Sequence, residues 1–248
     1  MQVFAENADR PSLAEVQRLL WRAVRHQPLP DGYEQVFTLP QGADLEERLV
    51  LYRDMYWNRQ VGALLELLED TCAVVGLATF TPILVNALSA LPSVHPAMEH
   101  LPARILPHIE AHSGLPESSL SVLRFEVAML DALVAPSAMN LLEALPSDVP
   151  TLMSMRFALI PGASVVAAPD SKTLRLVARS GERAVWWPIQ ASDARLFDRM
   201  QGGATLEVLC DVAVLELGAA PEEAMAQVAK LLMMLLPEKL LCYTEIAS

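Results

Sequence analysis

The sequence predicts an α+β protein that is mostly α: an α-helical domain over residues 1–148, then a module of three strands and three helices over 149–248. Three observations lead there. Apolar residues recur at helical spacing, punctuated by capping residues and prolines, through the whole front of the chain. A strand–turn–strand pattern follows in "TLRLVARSGERAVWWPI" at 173–189. Three short helical patterns then fill most of the remainder. This order of elements is that of winged-helix-like modules, which hold a nucleic acid or an extended peptide.

Taken in order, Ser12 with Glu15 three residues on forms a capping box and opens an amphipathic helix to about His26. A proline-rich loop follows, with Pro28, Pro30, Gly32, Pro40 and Gly42. Asp44 with Glu47 opens a long helix, "LEERLVLYRDMYWNRQVGALLELLED". Further helices are predicted at 77–91, 97–112 and 117–134, the last starting after Pro116. Pro136, Pro146 and Pro150 mark the connection to the second module. There a strand is expected over 155–160, ended by Pro161-Gly162. In the hairpin, Leu174, Leu176 and Ala178 alternate with Arg175 and Arg179. Ser180-Gly181-Glu182 supplies the tight turn. The return strand carries Val185, Trp186 and Trp187, and Pro188, which lacks a ladder donor, places it at a sheet edge or ends it. Ser192 is read as the N-cap of a helix through Met200, which Gly202-Gly203 ends. Thr205 opens a second helix. Pro221-Glu222-Glu223 starts a third, on which Met225, Val228, Leu232 and Leu235 recur at helical spacing.

Composition narrows the class. With 248 residues and 53% hydrophobic content, the chain has ample material for a core. Three scattered cysteines (Cys72, Cys210, Cys242) show neither CxxC nor zinc spacing, and the N-terminus has no signal-peptide pattern. A reduced, cytoplasmic protein is expected. The segment from Thr71 to Met98 carries no charge and is long enough for a membrane span. Gly76, Pro82, Asn86 and Pro92 favour two buried helices meeting near Gly76 instead, so no membrane is expected.

The formal net charge is −12, unevenly distributed. Residues 61–150 hold ten acids against two bases. Residues 151–200 hold seven bases (Arg156, Lys172, Arg175, Arg179, Arg183, Arg195, Arg199) against four acids. An acidic chain repels nucleic-acid phosphates over most of its surface, so DNA is the less favoured partner. A transcription regulator using Arg175, Arg179, Arg183, Arg195 and Arg199 on phosphates remains the alternative reading.

Candidate chemistry is sparse. His108 and His112 share a helix face and could contribute two metal ligands, with His95 and His100 nearby in sequence; a polar helix face is the plainer reading, and no metal site is expected. Cys72 has no basic residue nearby in sequence to favour thiolate and reads as a core residue. GxSxG, P-loop, GxGxxG and HExxH patterns are all absent. No catalytic residue is assigned, and a non-catalytic role is expected.

Tyr52-Arg53, the leucines through Leu68, Val74-Val75, Phe80, Pro107 and Leu123-Arg124-Phe125-Glu126 resemble the HvfC-type family, which is described by a DNA-binding domain. Where that family has Phe-Pro before its paired valines, this chain has Cys72-Ala73. Tyr56-Trp57 followed by Asp70-Thr71-Cys72 is also similar to MbnC and TglI-like partner proteins. The rear module resembles PqqD-like recognition elements. The resemblance implies a precursor-peptide leader adding as a strand beside 183–187, contacting Arg183, Val185 and Trp187, and packing against Met225, Val228 and Leu232. It further implies a multinuclear non-haem iron oxygenase as partner, docked through the helical domain at Tyr52, Arg53, Tyr56 and Trp57. That enzyme would modify a small Cys-containing precursor peptide. The iron belongs to the oxygenase, and no cofactor is expected on this chain.

Overall fold

The computed structural model describes residues 11–25, 27–37, 42–91, 97–170 and 172–245. His26, Pro40, Pro92 and His95, which figured in the expectations above, lie outside them. The architecture is α+β and mostly helical, with the strands confined to the C-terminal part.

Local signals set the front of the chain. Helix α1 (Leu13–Val24) starts where the Ser12 side chain accepts from the Glu15 amide. Helix α2 (Leu45–Leu67) starts where the Asp44 carboxylate accepts from the Glu46 amide, one residue before the expected partner. The long helix expected from 45 to 70 breaks at Leu68. A short α3 (Glu69–Val75) follows, then Gly76 at φ 87 turns the chain into α4 (Leu77–Ala90). These helices meet near Gly76 as expected, and among the described residues no helix is long and apolar enough to cross a membrane. A 3₁₀ turn (Met98–His100) leads into α5 (Leu101–His112), and α6 (Glu117–Val134) matches the predicted span. Leu64, Leu68, Phe80, Leu84, Ile105, Ile109 and Leu123 fuse α2–α6 into one apolar core.

The second half holds more strands than the three expected. After a short α7 (Val149–Ser154), capped by Asp148, come β1 (Met155–Leu159), β2 (Ser164–Ala167), β3 (Leu174–Ser180) and β4 (Arg183–Ile189). Then follow α8 (Ala191–Gln201), β5 (Ala204–Thr205), α9 (Leu206–Leu215), α10 (Pro221–Leu235) and β6 (Leu241–Glu245). The three expected helices are present and Thr205 caps α9 through the Val208 amide, but the expected N-cap Ser192 lies inside α8, which begins at Ala191 with Gln190 at its N-cap and no side-chain cap. The strands form two antiparallel sheets in the orders β5-β1-β6 and β2-β3-β4.

The second sheet is covered on both faces. On one, Val165, Leu176, Ala178, Trp187 and Ile189 join a core with Phe157, Phe197, Val228 and Leu232. On the other, Val166, Val177 and Ala184 pack against Phe125, Ala128, Met129 and Ala132 of α6. Arg175 and Arg179 therefore lie on the face that α6 covers. Arg179 reaches the C-terminal end of α6 and donates to the Leu133 and Ala135 carbonyls, where a cation complements the helix dipole. Helix α6 thus serves the helical core along one side and the sheet along the other.

Candidate peptide-binding edge

Among the described residues strand β4 is an outer strand, hydrogen-bonded to β3 alone. Its geometry follows from its turn. Gly181, at φ 62, and Glu182 form a two-residue loop between Ser180 and Arg183, which pair directly. In such a hairpin the closing pair exchanges both ladder bonds, and the pairs then alternate. Ser180–Arg183, Ala178–Val185, Leu176–Trp187 and Leu174–Ile189 are consequently the bonded pairs. Ala184, Trp186 and Pro188, opposite Arg179, Val177 and Arg175, turn their backbone groups away from β3. Ala184 and Trp186 each present N–H and C=O at the open edge, and Pro188 presents C=O alone. The strand therefore runs through Pro188 to Ile189 without losing a ladder bond, because the missing donor falls on the open side.

The side chains along this edge divide by parity. Trp187 and Ile189 are half-buried against the inner core, and Val185, also half-buried, shares their face of the strand. Trp186 is 42% exposed and faces the other way. Its ring stacks 3.7 Å below the Arg175 guanidinium, which also lies 5.0 Å from the Phe125 ring of α6. Phe125 and Trp186 meet edge to face at 6.5 Å. The exposed ring is thus Trp186, and the pair Arg175–Trp186 was absent from the expected contact set. The turn held part of the signal: counting from a two-residue loop turns the backbone groups of the even-numbered residues of the return strand to the open edge and puts their side chains on one common face.

The expected peptide-contact residues do not stay together. Arg183 is exposed at the turn, and Val185 and Trp187 line the inner side of the edge. Val228 and Leu232 are 0% and 1% exposed, inside the core with Leu231 and Leu235. The assignment of those two as peptide contacts is corrected: α10 packs along α9 and turns its apolar stripe inward to the core, which leaves neither side chain accessible to a ligand. Met225 is exposed, but its neighbour is Cys210 of α9, with Sδ and Sγ 4.0 Å apart.

The expected docking residues on α2 divide similarly. Tyr52 is 52% exposed, and Arg53 lines a groove of about 670 Å³ with Leu29, Tyr33, Leu49 and Val50. Tyr56 stands edge to face with both Trp21 and Trp57, and the Trp57 indole N–H donates to the Val24 carbonyl at 2.9 Å. Tyr56 and Trp57 hold α1 against α2; Tyr52 is exposed, and the half-buried Arg53 lies 3.9 Å from the Asp54 carboxylate.

Two sequence patterns meet at one point. Glu126 of α6 accepts from the Asp70 and Thr71 amides at 2.7 and 2.8 Å and from the Thr71 hydroxyl, closing the N-terminus of α3 with a carboxylate. Burial pushes the Glu126 carboxyl above its ordinary value, and these donors offset part of the rise. Arg124 pairs with Glu110 and Glu117. The Leu123-Arg124-Phe125-Glu126 run therefore touches the helical core, α5, the sheet and α3 at successive positions.

The histidine pair is a local arrangement. The His108 and His112 rings stack with centroids 4.3 Å apart, and His108 Nε2 lies 2.8 Å from Asn86 Oδ1. Among the described residues no group of three or more His, Cys, Asp or Glu side chains could hold a metal ion. Burial pushes the Cys210 and Cys242 thiols up, with Asp211 adding to the rise at Cys210, which opposes thiolate formation at either. No family model matches the chain, and a search of curated proteins finds nothing similar to it.

Proposed function

We propose that this chain is a non-catalytic, cytoplasmic partner subunit in peptide natural-product biosynthesis. It binds the leader of a small Cys-containing precursor peptide as an added strand on β4. It presents the peptide's cysteine to a multinuclear non-haem iron oxygenase, which supplies the iron and the chemistry. The observation that carries this reading is the open edge of β4, with backbone donors and acceptors at Ala184 and Trp186 and a floor of Val185 and Trp187. Strand addition draws affinity from main-chain bonds and specificity from the flanking side chains. The oxygenase is assigned to the exposed part of α2 at Tyr52 and Arg53 on the strength of the family resemblance.

The DNA alternative draws less support. Arg179 is committed to α6 carbonyls and Arg199 is paired with Glu216 at 2.8 Å, so two of the cations it relies on are already engaged.

Co-expression with the iron oxygenase and Cys-containing peptide encoded beside this gene tests the proposal. A ternary complex is expected on purification, with no turnover by this chain alone. Ala184→Pro removes one outward N–H from an edge where proline is sterically acceptable. In calorimetry at a temperature where the variant remains folded, it is expected to weaken peptide binding about tenfold or more. Undiminished binding by that variant would move the peptide elsewhere.

A further inference from the structure

We infer that the strand accepted by β4 carries a carboxylate side chain on the side facing α6, and that Arg175 selects it. The inference rests on strand addition to β4 and concerns which strands are accepted.

Arg175 is held in an unusual state for a half-buried cation. Its guanidinium lies over the Trp186 ring, 3.7 Å from the centroid, and 5.0 Å from that of Phe125, held between two rings. Among the described residues it has neither an ion pair nor a side-chain hydrogen bond. The acid nearest in sequence, Asp170, forms no ion pair with it: the Asp170 carboxylate accepts from the Lys172 amide at 3.0 Å and faces the Thr173 hydroxyl at 3.5 Å, and the Lys172 amide foremost, with a smaller contribution from the Arg175 charge, holds it below its ordinary value. Stacking covers the faces of a guanidinium and leaves its rim of N–H donors, which matches a carboxylate.

Register places that rim within reach of an incoming strand. Arg175 pairs across with Pro188, and its side chain leans over β4 to reach Trp186. A strand added outside β4 would lie about 4.8 Å farther out. Its residues opposite Trp186 and Pro188 would project to the same face as Arg175. Pro188 has a short side chain, so an Asp or Glu opposite either residue can approach the guanidinium over it. Exposed Arg183 at the turn end of the edge and Lys172 before β3 leave the hairpin locally basic, while the whole chain carries a net charge of −12. Charge complementarity thus favours an acidic strand here and disfavours a basic one.

Selection of a displayed library of random linear peptides on the full chain tests this, with Ala184→Pro and Arg175→Met run in parallel. Methionine keeps a long apolar stem against Trp186 and removes the charge. The expected result is that peptides captured by the native chain and lost on Ala184→Pro are enriched in Asp or Glu at alternate positions. Arg175→Met should remove that enrichment and weaken individual acidic binders about tenfold, with little effect on their Gln analogues. Binders sensitive to Ala184→Pro but without acidic enrichment would overturn the role of Arg175 and leave strand addition standing. The absence of any binder sensitive to Ala184→Pro would overturn both.

Discussion

Gly162→Ala is expected to lower stability by about 2–5 kcal/mol, the sum of a left-handed backbone cost and overpacking. Gly162 follows β1 at φ +76, and a Cβ there would sit 2.5 Å from the Ala135 Cβ and 3.0 Å from the Asp131 carbonyl oxygen. Those atoms belong to the end of α6, so the clash forces apart the helix and the sheet it covers. Gly181→Ala is the matched control. It has a similar φ of +62, but its Cβ would meet nothing within 4 Å, so only the backbone cost of about 1–2 kcal/mol applies. For a chain of this length each kcal/mol lowers the melting temperature by about 2–4 °C. Equal melting temperatures for the two variants would show that α6 is not seated against this turn.

Glu126→Gln is expected to cost about 1–3 kcal/mol, because an amide can accept from Thr71 but sets its NH₂ against the Asp70 amide. The same substitution changes the pH dependence. The native carboxyl holds its proton more tightly than the unfolded chain does, since its value is raised from the ordinary 4.5. The native state therefore gains relative stability in acid. That contribution is fully present below 4.5 and declines as pH rises through the native value. Glutamine does not titrate, so thermal melts of Glu126→Gln recorded upward from pH 4.5 should lack this decline. An unchanged pH slope would show that burial does not raise the Glu126 carboxyl above its ordinary value.

What could be read from the residues alone was the part whose cause is local. Ser12, Thr205 and Pro221 mark helix starts because their partners lie within one turn, and Gly76 marks a break because the backbone there requires positive φ. The hairpin was legible because its two strands are joined by two residues. The sheet containing β6 was not: residues 241–245 are apolar enough to continue a helical run. Their partners, Met155 through Leu159 and the Asn140–Leu142 backbone, lie far back in the chain. The break at Leu68 was hidden for the same reason, since the carboxylate that caps α3 comes from Glu126.

The candidate site shows the same division. The edge position of β4 followed from Pro188, and the stripe on α10 was visible as a helical periodicity. Periodicity does not say what a stripe covers, and Val228 and Leu232 are buried in the protein's own core. Trp186 and Arg175 were both visible as residues, but their stacking required the cross-strand register, which places Arg175 opposite Pro188 and Val177 opposite Trp186.

Strand addition to β4 makes a claim about individual amides, and residue-resolved hydrogen exchange reads it directly. In the free chain, the Val185 and Trp187 amides are bonded to β3 and should exchange slowly, while those of Ala184 and Trp186 face outward and should exchange fast. On adding saturating precursor peptide, new protection is expected at Ala184 and Trp186, with Val185 and Trp187 little changed. Peptide binding that leaves the Ala184 and Trp186 amides as exchangeable as before would contradict it.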